Sequence, residues 1–327
     1  MRIAVIGAGG VGGYFGGRLA LAGHDVHFLA RGRHLDAMRS NGLVLECDGG
    51  PFVVRSPNVT DDPRALGNAD VVLNTVKLWD LAQSGREIAG VVGSQSVTQS
   101  VTQSVARSVV IPLQNGVEAI DLLADGIPRE QIAGGVAYIA ATIREPGVIA
   151  VTGTMARLRF GPMIESQRPV LQSFAAACIT AEIDADISID IRRTLWEKFI
   201  FLNAFSGVTA VSRRPAGVVR GDPHLRDTIE ASMLETLRLA HANGIALPHG
   251  FVDAQMKFLD TLPEGMRSSM LNDLVAGNRL EAPWLCGAVT RMYEARGSHA
   301  PINRTLYAAL KPFVNGGAAL DRTMNPA

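Results

Sequence analysis

The chain has 327 residues, no formal net charge, a pI near 7.1 and 47% apolar residues. This length implies about two domains with a full core, and neutrality without a basic run excludes a nucleic-acid footprint. No apolar run approaches the roughly 18 residues of a membrane span. The scattered cysteines Cys47, Cys178 and Cys286, with no C-x-x-C and no H-E-x-x-H, argue against a disulfide framework and a metal site.

The first 31 residues read MRIAVIGAGGVGGYFGGRLALAGHDVHFLAR. An apolar run, Ile3 to Ile6, meets Gly7-Ala8-Gly9-Gly10-Val11-Gly12. A helical pattern then runs through Leu19 and Leu21 to Gly23, and a second apolar run spans Val26 to Leu29. Strand, glycine turn, helix, strand is the context that makes G-x-G-x-x-G a dinucleotide-binding fingerprint. Gly7 permits the tight turn, Gly9 lets backbone approach a pyrophosphate, and Gly12 lets helix pack on strand. The helix directs its free amides and positive dipole end at the phosphates. The second strand ends in Arg31 rather than an acid, so the spacing predicts a grip on a 2′-phosphate and hence NADP over NAD. The alternative is a solvated loop arginine.

Further strand-like runs at 69–76 and 109–113 alternate with helical patterns, which predicts an α/β fold with a Rossmann-type doubly wound sheet. Runs at 132–142, 148–151 and 158–160, with Glu145-Pro146-Gly147 between the first two, read as hairpins. The repeat Ser-Val-Thr-Gln at 96–99 and 100–103 reads as a duplicated surface insertion. Past Gly161 helical periodicity takes over, at 191–205, 225–242 and 285–295, with stops at Asn243-Gly244 and Gly297 and a restart at Pro301. The expected domains are therefore an NADP-binding unit over 1–170 and an all-helical substrate unit over 171–327, with a small molecule received in the cleft they form. The opening strand leaves no room for a signal peptide, and a cytoplasmic enzyme is expected. A homodimer through the helical part, with no nucleic acid or membrane partner, is the expected assembly.

Lysine is scarce: Lys77, Lys198, Lys257 and Lys311. Lys198 has Leu195, Phe201 and Leu202 as helical neighbours. Desolvation would lower its pKa toward neutrality and suit it to donate a proton; a lysine covering apolar surface with its stem is the alternative. Lys77 and Asn115 each follow a strand at the end where open α/β sheets bind ligands. Glu281 and Ser269 have the chemistry to orient a lysine and hold a carboxylate, though such residues alone are more often caps or surface polar groups. Nothing argues for a covalent nucleophile.

Taken together, GAGGVG at 7–12, ARG at 30–32, TVK at 75–77, QNG at 114–116, WEKF at 196–199, SSML at 268–271 and Arg279-Leu280-Glu281 resemble the ketopantoate reductase family over essentially the whole chain. The resemblance implies NADPH-dependent reduction of a 2-oxo acid to a 2-hydroxy acid, with Lys198 as general acid and Glu281 positioning it from the cofactor side. It implies cofactor contacts at Gly7, Ala8, Gly9, Gly10, Val11, Gly12, Arg31, Lys77, Asn115, Ala141 and Glu281. Substrate contacts are implied at Asn115, Lys198, Ser206 and Ser269. This chain departs from the family at Leu202, Ser206 and Ala216, where the family carries asparagines that grip ketopantoate, and at Pro283, where it carries an acid. Asn203 is no substitute for the first, because one residue rotates a side chain by roughly 100° about a helix. A paralogue acting on a bulkier or less polar 2-oxo acid is the alternative expectation, and an NADPH-sensing protein without catalysis a more distant one.

Overall fold

The computed structural model describes residues 1–92 and 108–317; the Ser-Val-Thr-Gln repeat lies outside them. The chain forms two compact units. The first comprises Met1–Gln114 and Ala119–Thr194, and the second comprises Asn115–Glu118 together with the described residues from Leu195 on.

In the first unit the order is β1 (Arg2–Ile6), α1 (Gly10–Leu21), β2 (Asp25–Leu29), α2 (Gly32–Asn41), β3 (Leu43–Cys47), β4 (Gly50–Val54), β5 (Asn58–Thr60), β6 (Val71–Asn74), α3 (Leu78–Ile88), β7 (Val109–Pro112), α4 (Ala119–Leu123), β8 (Gly134–Glu145), β9 (Val148–Gly161), α5 (Arg168–Thr180) and β10 (Asp184–Ile187). Parallel strands in the order β5-β2-β1-β6-β7 form the doubly wound sheet. Val5 stands between Phe28 and Leu73 across its centre. The strands β1, β6 and β7 are buried almost throughout, as strands of a parallel sheet covered on both faces are. A second, mixed sheet runs β10-β9-β3-β4, with β8 antiparallel on β9.

Helix α1 lies against both sheets, which explains a composition that opposes helix formation. A glycine costs about 1 kcal/mol in a helix interior, yet α1 holds several. A Cβ at Gly16 would meet Phe28 and Val5 of the parallel sheet at 2.5 and 2.8 Å, and one at Gly17 would meet Leu45 of the other at 2.9 Å. Close approach on two faces leaves room only for glycine.

Two runs expected as separate strands, 148–151 and 158–160, are the ends of the single strand β9. Its middle, Thr152 to Met155, is exposed and carries little apolar signal. The expected division at 170/171 falls inside α5, whose Leu171, Phe174 and Cys178 are buried in the first unit's core. A strand, β10, follows and pairs with β9. Its alternation of acids with Ala185 and Ile187 hid it from a search for apolar runs.

The second unit is helical: α6 (Ile191–Ser212, whose first turn still belongs to the first unit), α7 (Ala216–Gly221), α8 (Pro223–Ala242), α9 (Phe251–Thr261), α10 (Ser269–Ala276), α11 (Cys286–Glu294) and α12 (Pro301–Leu310). Its core gathers Phe199, Ile200, Met233, Leu259, Leu280 and Val289. The buried Glu235 carboxylate accepts the first amides of α12, from Ile302 and Asn303, at 2.9 Å each. It thereby satisfies donors that a helix start leaves unpaired. No described helix is long and apolar enough to cross a membrane.

Candidate active site

The glycine turn joins β1 to α1. Gly7 adopts φ +93°, a conformation that side chains rarely tolerate. Its N–H and that of Ala8 donate to the Leu29 carbonyl at 3.0 and 3.3 Å, and Thr75 Oγ1 donates to the Gly7 carbonyl at 2.5 Å. A Cβ at Gly12 would stand 2.3 Å from both the Gly7 carbonyl and Thr75 Oγ1, whereas one at Gly9 would meet nothing within 4 Å. The turn is thus packed tight behind and open at Gly9, and no side chain caps α1 among the described residues. Open backbone before an uncapped helix start fits a pyrophosphate. Gly12→Ala is expected to lower stability by about 1–3 kcal/mol through overpacking. Thermal denaturation checks this, and an unchanged midpoint would show that the turn gives way.

The other first-unit candidates border this turn or the adjoining strand ends. Ala141 lies on β8 with its carbonyl 2.1 Å from where a Gly10 Cβ would be, so the bare backbone of Gly10 and the Ala141 strand meet directly. Lys77 is exposed at the start of α3, its ammonium 5.7 Å from the Trp79 ring centre. Arg31 begins α2 and pairs with Glu87 of α3 at 2.9 Å.

The second unit assembles a separate group around α6. Lys198 Nζ donates to Asn115 Oδ1 at 3.0 Å, and Asn115 Nδ2 makes a longer 3.5 Å contact with Glu281 Oε2. The amide is held one way round, because an ammonium only donates and a carboxylate only accepts. Gly116 helps place Asn115: at φ +94° its backbone passes so close that a Cβ would be 3.1 Å from the Trp284 carbonyl. Glu281, only 8% exposed, precedes the turn Ala282–Trp284. Burial pushes the Lys198 ammonium down to about 8, and the Glu281 carboxylate partly opposes this. A lysine so tuned both holds and releases a proton near neutral pH.

The implied substrate residues are placed unequally. Ser206 lies two turns along α6 from Lys198, buried, its hydroxyl without a partner among the described residues. Ser269 is exposed in the first turn of α10. The helix cap is its neighbour Ser268, which accepts the Leu271 N–H at 3.1 Å and bonds Thr209 of α6 at 2.7 Å. Leu202, one turn from Lys198, is partly exposed, and Ala216 is fully buried. Sequence reasoning passed over Ser268, Thr75 and Gln114. Gln114 Nε2 donates to Asn74 and Val76 at 2.9–3.1 Å, fixing the strand ends. Each stood within a marked motif, Thr75 in T-V-K, Gln114 in Q-N-G and Ser268 in S-S-M-L, but beside the residue that drew attention.

Known proteins resemble the chain over both units. The profile described as Ketopantoate reductase PanE/ApbA matches residues 3–165, and that of its C-terminal part matches 190–314. The crystal structure of a PanE/ApbA family ketopantoate reductase from Ralstonia eutropha JMP134 superposes with a TM-score of 0.84 at 30% identity, covering 96% of this chain and 98% of that one. A 2-dehydropantoate 2-reductase of Halobacterium salinarum is 29% identical, over 94% of this chain and 96% of its own. The Bacillus subtilis oxidoreductase YkpB is 27% identical, over 96% and 99%. With both profiles matched in order over a Rossmann-type unit and a helical unit, the chain belongs to the ketopantoate reductase family, NADP(H)-dependent oxidoreductases acting on CH–OH groups.

Proposed function

We propose that the protein reduces 2-dehydropantoate to pantoate with Lys198 as the proton donor. The family supports the broader statement, NADPH-dependent reduction of a 2-oxo acid. Lys198 as the donor rests on the Lys198–Asn115–Glu281 group, with its ammonium brought down to about 8, and 2-dehydropantoate on the activity named for relatives such as that of Halobacterium salinarum. When held at the glycine turn, NADPH would supply hydride to the carbonyl carbon. Lys198 Nζ gives its proton to the carbonyl oxygen, so the ketone becomes an alcohol, and the neutral amine then takes a proton from water. Asn115 keeps the ammonium aimed, and Glu281 favours its charged form.

In this reading the backbone of Gly7, Ala8, Gly9, Gly10, Val11 and Gly12 holds the pyrophosphate. Arg31 and Lys77 meet the 2′-phosphate side, and Ala141, Asn115 and Glu281 complete the cofactor contacts. Ser206 and Ser269 join Asn115 and Lys198 on the substrate, Ser269 taking the carboxylate. The protein then serves pantothenate biosynthesis in the cytoplasm.

Glu281→Gln removes the charge that raises the Lys198 pKa. The fall of kcat at high pH is therefore expected to begin at lower pH than in the wild type. A pH–rate profile checks this, and a shift the other way would contradict the placement of Glu281.

Leu202 and Ala216 favour a second reading, a 2-oxo acid with an apolar or aromatic side chain. An apolar site rejects a hydroxyl weakly but offers it no partner. A panel of 2-oxo acids with NADPH, followed by absorbance at 340 nm, decides. Fastest turnover of 2-dehydropantoate supports the first reading, fastest turnover of a branched or aromatic acid the second, and no turnover of any defeats both.

A further inference from the structure

We propose that His34, as its neutral Nε2–H tautomer, is a positioning residue for the dinucleotide: it fixes the Ala8–Gly9 peptide so that the Gly9 N–H is presented on the open side of the glycine turn, and protonation of the ring undoes this. The proposal rests on the reading of that turn as the pyrophosphate site.

His34 lies in the first turn of α2, with Nε2 2.8 Å from the Ala8 carbonyl and Nδ1 3.0 Å from the Gly147 nitrogen. The two partners settle the tautomer. A backbone N–H can only donate, so Nδ1 accepts from Gly147; a carbonyl can only accept, so Nε2 carries the hydrogen and donates to Ala8. The ring therefore bridges the turn between β8 and β9 to the second residue of the fingerprint.

This bridge has a direct consequence for the turn. The peptide group is planar and trans, so the Ala8 carbonyl and the Gly9 N–H point in opposite directions. Gripping the carbonyl on the His34 side aims the Gly9 N–H to the other. The preceding peptide is held too, because the Ala8 N–H donates to Leu29. Without the ring, the Ala8–Gly9 peptide is held only through its neighbours, at Ala8 N–H and at the Gly9 carbonyl that accepts from Gly13, and can rotate.

The hairpin end of the bridge is itself rigid. Gly147 is buried at φ +84°, its carbonyl accepts the Val44 N–H at 2.9 Å, and a Cβ there would be 3.2 Å from Ala37 of α2. The same hairpin reaches the fingerprint again at Ala141, against Gly10. The β8–β9 hairpin thus braces the phosphate turn at two points, one of them titratable.

An imidazolium would set an N–H against the Gly147 N–H, so protonation breaks the bridge. Burial holds the His34 pKa below its ordinary 6.5, and the bond to the Ala8 carbonyl partly offsets this. The charged side chains on the elements packed here are Arg31, Arg33, Asp36 and Arg39 of α2 and Arg144 and Glu145 beside the hairpin turn; the glycine turn carries none. Arg31 is engaged by Glu87 and Glu145 by Arg144. The neutral ring is the form present at pH 7, and the brace is lost as pH falls through the lowered His34 pKa, below 6.5.

The test is fluorescence titration of wild type and His34→Ala with NADPH and NADH at pH 7.5 and at a pH where imidazole 15N NMR of the wild type shows the ring protonated. The expected loss in His34→Ala at pH 7.5 is about 5- to 30-fold, the scale of one buried hydrogen bond and the acceptor it leaves unpaired. The factor is the same for both nucleotides, because both carry the pyrophosphate. Once the ring is protonated the NADH affinities of the two proteins converge; NADH is the probe there because it has no titrating 2′-phosphate. The NMR shows a neutral Nε2–H ring at pH 7.5. Wild-type affinity in His34→Ala, a loss for NADPH alone, affinities that stay apart once the ring is protonated, or a ring found charged or as the Nδ1–H form at pH 7.5 overturns the proposal. If the variant does not fold, the NMR result decides. A wild type that binds neither nucleotide overturns the pyrophosphate reading as well, whereas binding that ignores His34 overturns this proposal alone.

Discussion

Lys198→Ala is expected to lower kcat for 2-oxo-acid reduction by about 10²- to 10⁴-fold, the usual contribution of a positioned general acid, while NADPH affinity stays within about twofold. The separation follows from the architecture. The glycine turn that fits the pyrophosphate is built from β1, α1 and β2 of the first unit, and the lysine belongs to the second. The same assignment fixes a pH dependence. The donor must be the ammonium, so the reductive rate is full below about pH 8 and falls tenfold for each unit above it, given the value to which burial brings Lys198. Oxidation of the hydroxy acid needs the neutral amine and shows the opposite limb. Lys198→Arg keeps the charge but cannot release a proton near neutrality, so it is expected to be nearly as slow as the alanine variant. Turnover and NADPH titrations of the three proteins, with pH–rate profiles in both directions, make the check. An alanine variant that turns over within about fivefold of wild type would remove Lys198 from the chemistry.

How much of this was legible depended on whether a residue's reason was local. The fingerprint was legible because each glycine answers a neighbour within a few residues or on the adjoining strand, and sequence shows that spacing directly. Lys198 was legible as an anomaly, a charge set among Leu195, Phe201 and Leu202. That it sits with Asn115 was not visible, since 83 residues separate them, nor that a short stretch after β7 joins the helical unit. The early alternation of strands and helices showed the parallel sheet. The mixed sheet was only half visible: its hairpin turn is marked by Pro146-Gly147, while β10 alternates acids with apolar residues. Ser269 drew attention as part of a motif, but capping geometry gives the buried role to Ser268. His34 and Glu87 gave no signal at all; each acts through a partner that only the folded chain brings near.

Arg31→Ala is expected to weaken NADPH binding by about 10- to 100-fold and to leave NADH within about twofold. The guanidinium stands at the end of β2 and is mostly exposed, as a group that meets a ligand should be. Its partner is Glu87, at 2.9 Å, which also accepts from Gln83 at 3.1 Å. The question is whether the acid keeps the arginine from a 2′-phosphate, and magnitudes answer it. An exposed ion pair is worth about 0–1 kcal/mol, because water and side-chain entropy offset most of the attraction. A hydrogen bond to a charged group contributes about 1.5–3 kcal/mol, and a phosphate offers the paired geometry that a guanidinium matches. The phosphate wins, and Glu87 lowers the preference without reversing it. Glu87→Gln is accordingly expected to tighten NADPH by no more than about fivefold, the scale of that surface pair, without effect on NADH. Dissociation constants for both nucleotides, measured for wild type and the two variants, decide. An NADPH-to-NADH ratio that Arg31→Ala leaves unchanged would return Arg31 to a solvated partner of Glu87 and pass the recognition of the phosphate to Lys77.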